Sequence, residues 1–224
     1  INFGNGTTCA AGTSVAGDLI VDNSATSTLQ VVAPATTLNL NVLIQGYWMG
    51  TEMAEVLSIQ GEPTTLNACD SIDVSLVDSA TLSVIATKRA VVDKNGLSNV
   101  QFAGSYPGSY YIKVQHRNAI ETWSAYTVPM TGSPSYNFTS SASQAYGNSQ
   151  IEVSSGVFAM YSGDIVKDAN EAIELTDVAQ LEADNDNFVF GYAASDINGD
   201  GGVDLSDFPL VELNLNAFIF SNHP

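Results

Sequence analysis

Apolar and polar positions alternate with a period of two from residue 38 onward. Leu38, Leu40, Val42 and Ile44 alternate with Asn39, Asn41, Leu43 and Gln45, the pattern of a half-buried strand. Ile72, Val74 and Leu76 do the same against Ser71, Asp73, Ser75 and Val77. Residues 84–92 and 97–102, joined by Asp93-Lys94-Asn95-Gly96, predict a hairpin, because Asn-Gly supplies the positive φ angles of a tight turn. Ile112 and Val114 alternate with Lys113 and Gln115, and residues 122–128 are a further candidate strand. Short strands at regular spacing, without an amphipathic helix between them, predict an antiparallel β-sandwich over residues 38–161. Residues 1–37 differ: they are rich in Gly, Thr, Ser and Ala and show no helical period. They predict an extended N-terminal segment able to add a strand to a neighbouring copy.

One stretch of the sandwich region is recognisable. Phe102-Ala-Gly-Ser-Tyr-Pro-Gly-Ser-Tyr-Tyr-Ile-Lys-Val114 resembles the closing strand of prealbumin-like and fibronectin-like sandwiches of secreted bacterial proteins. That resemblance implies a noncatalytic module for display or adhesion.

Charge separates the tail from the rest. Residues 162–224 hold thirteen acids and a single base, Lys167. The tail also repeats at an offset of 30: Glu174-Leu-Thr-Asp177 matches Asp204-Leu-Ser-Asp207, Ile173 falls on Val203, and Phe188 and Phe190 fall on Phe218 and Phe220. Two such units predict mutual packing, with the four phenylalanines and the leucines between them.

The second copy reads Asp196-Ile-Asn198-Gly-Asp200-Gly201-Gly202-Val-Asp204-Leu-Ser-Asp207. Calcium takes six to eight oxygens, and a twelve-residue loop wraps it by presenting them at positions 1, 3, 5, 7, 9 and 12 with a glycine at 6. Asp196, Asn198, Asp200, the Gly202 carbonyl, Asp204 and Asp207 meet that pattern, and Gly201 supplies the turn. Val203 at position 8 is expected to face a core. With Asp rather than Glu at position 12 and one helix after the loop, the unit resembles the duplicated calcium loop (F-hand) of dockerins. The resemblance implies a small α-helical calcium-binding module and carries the ligand roles onto those six residues. The helix is expected from about residue 205 to 213.

The first copy departs from the pattern. Asp164 to Asp177 spans fourteen residues and lacks the turn glycine, so Asp164 recovers position 1 only if the loop bulges by two residues. Its reading stays open between a weaker site of Asp164, Asp168, Asn170, Glu174 and Asp177 and a degenerate loop held by packing.

Composition narrows the function. Of 224 residues, 45% are apolar, enough for a sizeable core, and the net charge of −18 repels phosphate backbones and anionic lipid. Neither nucleic acid nor a membrane surface is an expected partner, and no stretch approaches a membrane span. The start at Ile1 reads as a processed, exported protein. Cys9 and Cys69 are either one disulfide or two thiols. His116 reads as a surface residue at a strand end, and no nucleophile constellation is evident, so the protein is read as no enzyme. The leading expectation is a secreted or cell-surface structural protein stabilised by calcium, with self-assembly into filaments by strand exchange as a more specific form. The alternative is an adhesion module that binds a glycan, through aromatics such as Trp48 and Trp123, or a cohesin partner.

Overall fold

The computed structural model describes residues 19–21, 29–31 and 35–224. Strands β1 (Leu19–Val21) and β2 (Leu29–Val31) pair antiparallel with each other. They are followed by β3 (Ala35–Asn41), a one-turn helix α1 (Val56–Ile59), β4 (Ala68–Asp78), β5 (Val84–Asp93), β6 (Leu97–Ala103), β7 (Ser109–His116), β8 (Ala119–Trp123), β9 (Val128–Pro129) and β10 (Ser135–Asn137). A short hairpin, β11 (Ile151–Ser154) and β12 (Val157–Ala159), leads to the helices α2 (Leu175–Asp186) and α3 (Phe208–Asn216). One sheet has the order β5-β4-β7-β8 with β9 also paired to β7; the other is β10-β3-β6. The protein is mainly β, and its strand pairs are antiparallel except β10 on β3.

The period-two pattern does what it predicts. Leu38 and Leu40 of β3, Val74 and Leu76 of β4, Val100 and Phe102 of β6, and Ile112 and Val114 of β7 meet in one buried core. The expected hairpin between β5 and β6 is not formed. β5 pairs with β4 and β6 with β3, so residues 93–96 arch from one sheet to the other. The turn keeps part of its predicted chemistry: Gly96 sits at φ +84° but Asn95 does not have a positive φ, and Asp93 Oδ1 accepts from the amides of Asn95 and Leu97. Its other backbone groups are engaged elsewhere: the Gly96 carbonyl accepts from Val42 N and the Lys94 carbonyl from Met53 N. Turn residues therefore determine the reversal of the chain, while the burial of Val92 and Val100 in a shared core selects different partners for the two strands.

A second buried cluster contains Ile165, Ile173, Leu181, Ile197, Val203 and Val211, with Ile120 of β8 as a seventh member. The four phenylalanines expected there are instead exposed: Phe188 is 83% accessible, Phe190 84%, Phe218 82% and Phe220 54%. Phe188 and Phe218 follow the helix ends at φ +52° and +54°, the left-handed conformation that terminates a helix and turns the chain outward. Aliphatic residues of the loops and helices, Ile173, Leu181, Val203 and Val211 among them, fill the interior instead. The repeat survives in the backbone: Ala172 bridges Phe220 and Gly202 bridges Phe190, the same contact displaced by 30 residues in each direction. α3 begins three residues later than expected, with Pro209 in its first turn.

The helical unit is seated on the sandwich. A Cβ on Gly46 would lie 2.1 Å from the Ile197 carbonyl, and one on Gly199 would lie 2.5 Å from Val56 and 2.9 Å from the Tyr47 ring. Asn214 Nδ2 donates to Gln45 Oε1 and to the Ser162 carbonyl, and Ser221 Oγ donates to the Glu121 carbonyl. Sequence alone suggests that the tail unfolds separately; this contact predicts one cooperative transition instead. Ile120→Ala, which empties the shared position, is expected to cost about 2–5 kcal/mol and to lower that single transition in calorimetry. Two transitions, only one of them shifted, would show that the units melt independently.

Candidate metal centre

The second loop is built around two buried acids. Asp207 Oδ1 accepts from the amides of Ile197 and Asn198 at 2.7 and 3.1 Å, and its Oδ2 accepts from Asp204 N at 3.0 Å. Asp196 accepts from Gly199 N and Gly201 N, both at 2.9 Å. Asp207 thus ties the start of the loop to its end while Asp196 holds the middle, and both are fully buried. Gly201, at φ +97°, makes the mid-loop reversal that a side chain would strain. Val203 faces the core as its position requires.

Asn198, Asp200 and Asp204 stand at the solvent rim. Asn198 Nδ2 donates to Asp200 Oδ2 and Ser206 Oγ, and Asp204 Oδ1 accepts from Ser206 N. Among the described residues no three acidic, His or Cys side chains converge on one point. Burial pushes the Asp196 carboxyl up to about 6, with Asp207 adding repulsion against the help of the loop amides. Burial raises Asp207 as well. Two acids held this way attract a positive charge.

The first loop copies the same hydrogen bonds. Asp177 Oδ1 accepts from Ile165 N and Val166 N at 2.7 and 2.8 Å, and its Oδ2 from Glu174 N at 2.8 Å. Asp164 therefore takes the place of Asp196, and the two extra residues bulge between them. Glu171 sits at φ +47°, where the second copy has Gly201, so the reversal is made without a glycine. Asp168, Asn170 and Glu174 lie on the outer side: Asp168 Oδ1 accepts from Asn170 N, and Asn170 Nδ2 donates to Glu174 Oε1. The ammonium of Lys167 lies 2.7 Å from Asp164 Oδ2 and donates to the Ala119 carbonyl at 2.8 Å. Burial lifts Asp164 to about 6 despite that ammonium.

A polar junction that the sequence does not reveal joins the second loop to the sandwich. Asp70 of β4, fully buried, accepts from Arg117 Nε at 3.0 Å and from Tyr192 OH at 2.6 Å, and its Oδ2 lies 3.0 Å from His116 Nε2. Arg117 continues to the Ala193 carbonyl and to Gln60 Oε1, and Gln60 Nε2 donates to Asp196 Oδ2. Asn118 Nδ2 donates to the Asp196 carbonyl and to Tyr47 OH. Burial opposes ionisation of Asp70, but His116, Arg117 and Tyr192 together hold it well below its ordinary value. His116 is buried rather than at the surface, and burial pulls its pKa down. The junction's residues come from four separate stretches of the chain, around positions 47–60, 70, 116–118 and 192–196, and no local pattern joins them.

Of the aromatics that could form a glycan surface, Tyr47 and Trp123 are buried, Trp48 is half-buried against the core with its Nε1 donating to Ser154 Oγ, Tyr106, Tyr110 and Tyr111 are half-buried, and Tyr126 is exposed. Cys69 is buried in the sandwich core, its Sγ 3.9 Å from Met53 Sδ, whereas Cys9 lies outside the described residues. No described helix is long and apolar enough to cross a membrane.

No protein-family model matches the chain, and no curated protein matches it. Among the solved structures similar to this chain are two interface mutants, C-terminal and N-terminal, of a type II cohesin–X-dockerin complex from Acetivibrio cellulolyticus. Each is 19% identical with a TM-score of 0.46; the first alignment covers 80% of this chain and 95% of that one, the second 82% and 97%. Likeness at this level decides neither fold nor function.

Asp70→Asn is expected to destabilise the protein by about 3–5 kcal/mol, because it leaves Arg117 buried beside a neutral amide. Since the folded pKa of Asp70 lies below the ordinary 3.8, its stabilisation is present above about pH 4 and is lost as pH falls further. Denaturant melts from pH 5 to pH 2 should show a steeper loss for the wild type than for the variant.

Proposed function

We propose that the protein is a noncatalytic extracellular structural module whose C-terminal unit is stapled by calcium at the 196–207 loop. One observation carries this reading. Six acids are buried among the described residues: Asp70, Glu121, Asp164, Asp177, Asp196 and Asp207. Arg117 pairs with Asp70, Lys113 with Glu121 at 3.0 Å, and Lys167 with Asp164 beside Asp177. Asp196 and Asp207 are the pair to which no described base forms an ion bridge. A hard cation is the missing charge, and the donors present are all oxygens. Asn198, Asp200, the Gly202 carbonyl and Asp204 would complete its shell by turning in from the rim. An extracellular setting supplies calcium at the concentrations such a loop needs.

A second reading, a protein-docking module of the dockerin kind, is favoured by the exposed Phe188, Phe190, Phe218 and Phe220, which repeat across the unit. It would be tested by titrating the chain with a type II cohesin, with loss of binding expected in a Phe190→Ser, Phe220→Ser double variant.

The calcium reading is tested by titration after chelation. One tight site is expected, and Asp200→Ala should abolish it. At a hundredfold excess over Kd, binding adds about 2.7 kcal/mol, which should raise the melting temperature by roughly 5–10 °C. A melting temperature indifferent to calcium and chelator would refute the reading.

A further inference from the structure

The fourth residue of each loop sets the two copies apart. Counting from Asp164 it is Lys167, and from Asp196 it is Gly199. Both donate to the leading acid, Lys167 through its ammonium to Asp164 Oδ2 and Gly199 through its amide to Asp196 Oδ1. We infer that the first loop is closed by the Lys167 ammonium as its resident cation and takes no calcium, so that the unit has one built-in cation and one exchangeable one. Only the word exchangeable rests on the calcium reading of the second loop; the assignment of Lys167 does not.

Three observations carry the assignment. First, the two loops share the same amide pattern around Asp177 and Asp207, so a cation in either would face the same pair of buried acids. Second, Asp164 Oδ1 is buried without a hydrogen-bond partner, so the ammonium at Oδ2 is the charge that answers this carboxylate. Third, the ammonium also donates to the Ala119 carbonyl of β8, so it is anchored to the sandwich as well as to Asp164. A divalent ion at Asp164 would sit within a few ångströms of that ammonium, and like charges so close repel strongly. On the outside of the first loop, Asp168 Oδ1 accepts from Asn170 N and Glu174 Oε1 accepts from Asn170 Nδ2.

The same contacts explain why the second copy has no such lysine. Any side chain at Gly199 would collide with Val56 and Tyr47 of the sandwich, whereas the matching position of the first loop opens toward β8. The sandwich thus dictates which loop carries its own charge.

The test is amide hydrogen exchange on the full chain, with and without chelator. In the wild type the amides of Ile165 and Val166 should stay protected in chelator, while Lys167→Met should lower their protection at least ~10-fold and Lys167→Arg should restore most of it. Protection that appears only with calcium, or that survives Lys167→Met, overturns the assignment. Calcium titration of Asp200→Ala, which alters only an exposed side chain, gives an independent measure. This variant should bind no calcium tightly, and one tight equivalent retained with shifts confined to residues 164–177 would overturn the assignment. A wild type that takes up no calcium yet needs Lys167 for protection upholds the first loop and refutes only the calcium reading.

Discussion

Buried carboxylates in a chain with few bases are the constraint around which the structure is arranged. With 24 acids and 6 bases, charge compensation is scarce, and each acid taken out of water needs either a base or several amides. The bases that are present are spent at the places where the fold most needs them. Arg117 meets Asp70 beneath the helical unit, Lys113 meets Glu121 on the sheet, and Lys167 meets Asp164 in the first loop. Backbone amides do the rest, three of them to each of Asp177 and Asp207.

The duplicated unit shows how one backbone accommodates two electrostatic solutions. Both copies close a loop on a buried acid, start a helix, end it in a left-handed residue and bridge back to the other copy. Glu171 adopts the conformation that Gly201 adopts freely, which means the loop–helix packing outweighs a local strain of about 1–2 kcal/mol. What differs is the fourth residue, Lys167 with an ammonium in the first loop and Gly199 with only its amide in the second, and this follows from the surface each loop rests on. Tyr47 and Val56 crowd the second loop, while the Ala119 carbonyl receives the lysine of the first.

Contact with the sandwich makes the helical unit part of one polar and apolar continuum. Ile120 contributes to the core of the helices, and the chain of hydrogen bonds from Asp70 through Arg117 and Gln60 ends on Asp196. A charge placed in the second loop is therefore felt directly by residues of β4 and of the turn after α1. The four phenylalanines are exposed and contribute no hydrogen bond to that chain from Asp70 to Asp196.

The sequence by itself determined the elements whose signal is local. Alternation at 38–44, 72–77 and 112–115 placed strands of the sandwich, because a strand buried on one face must alternate. The offset of 30 revealed the duplication, and the spacing of Asp196, Asn198, Asp200, Asp204 and Asp207 singled out a loop with calcium-ligand chemistry, because that spacing is dictated within twelve residues. Tertiary structure alone decided what depends on partners distant in the chain. It separated β5 from β6, buried His116 beside Asp70, exposed the four phenylalanines and brought Lys167 onto Asp164 at the edge of β8. Those outcomes turn on which volumes are already filled and which charges are already answered, and neither is written in any local stretch of residues.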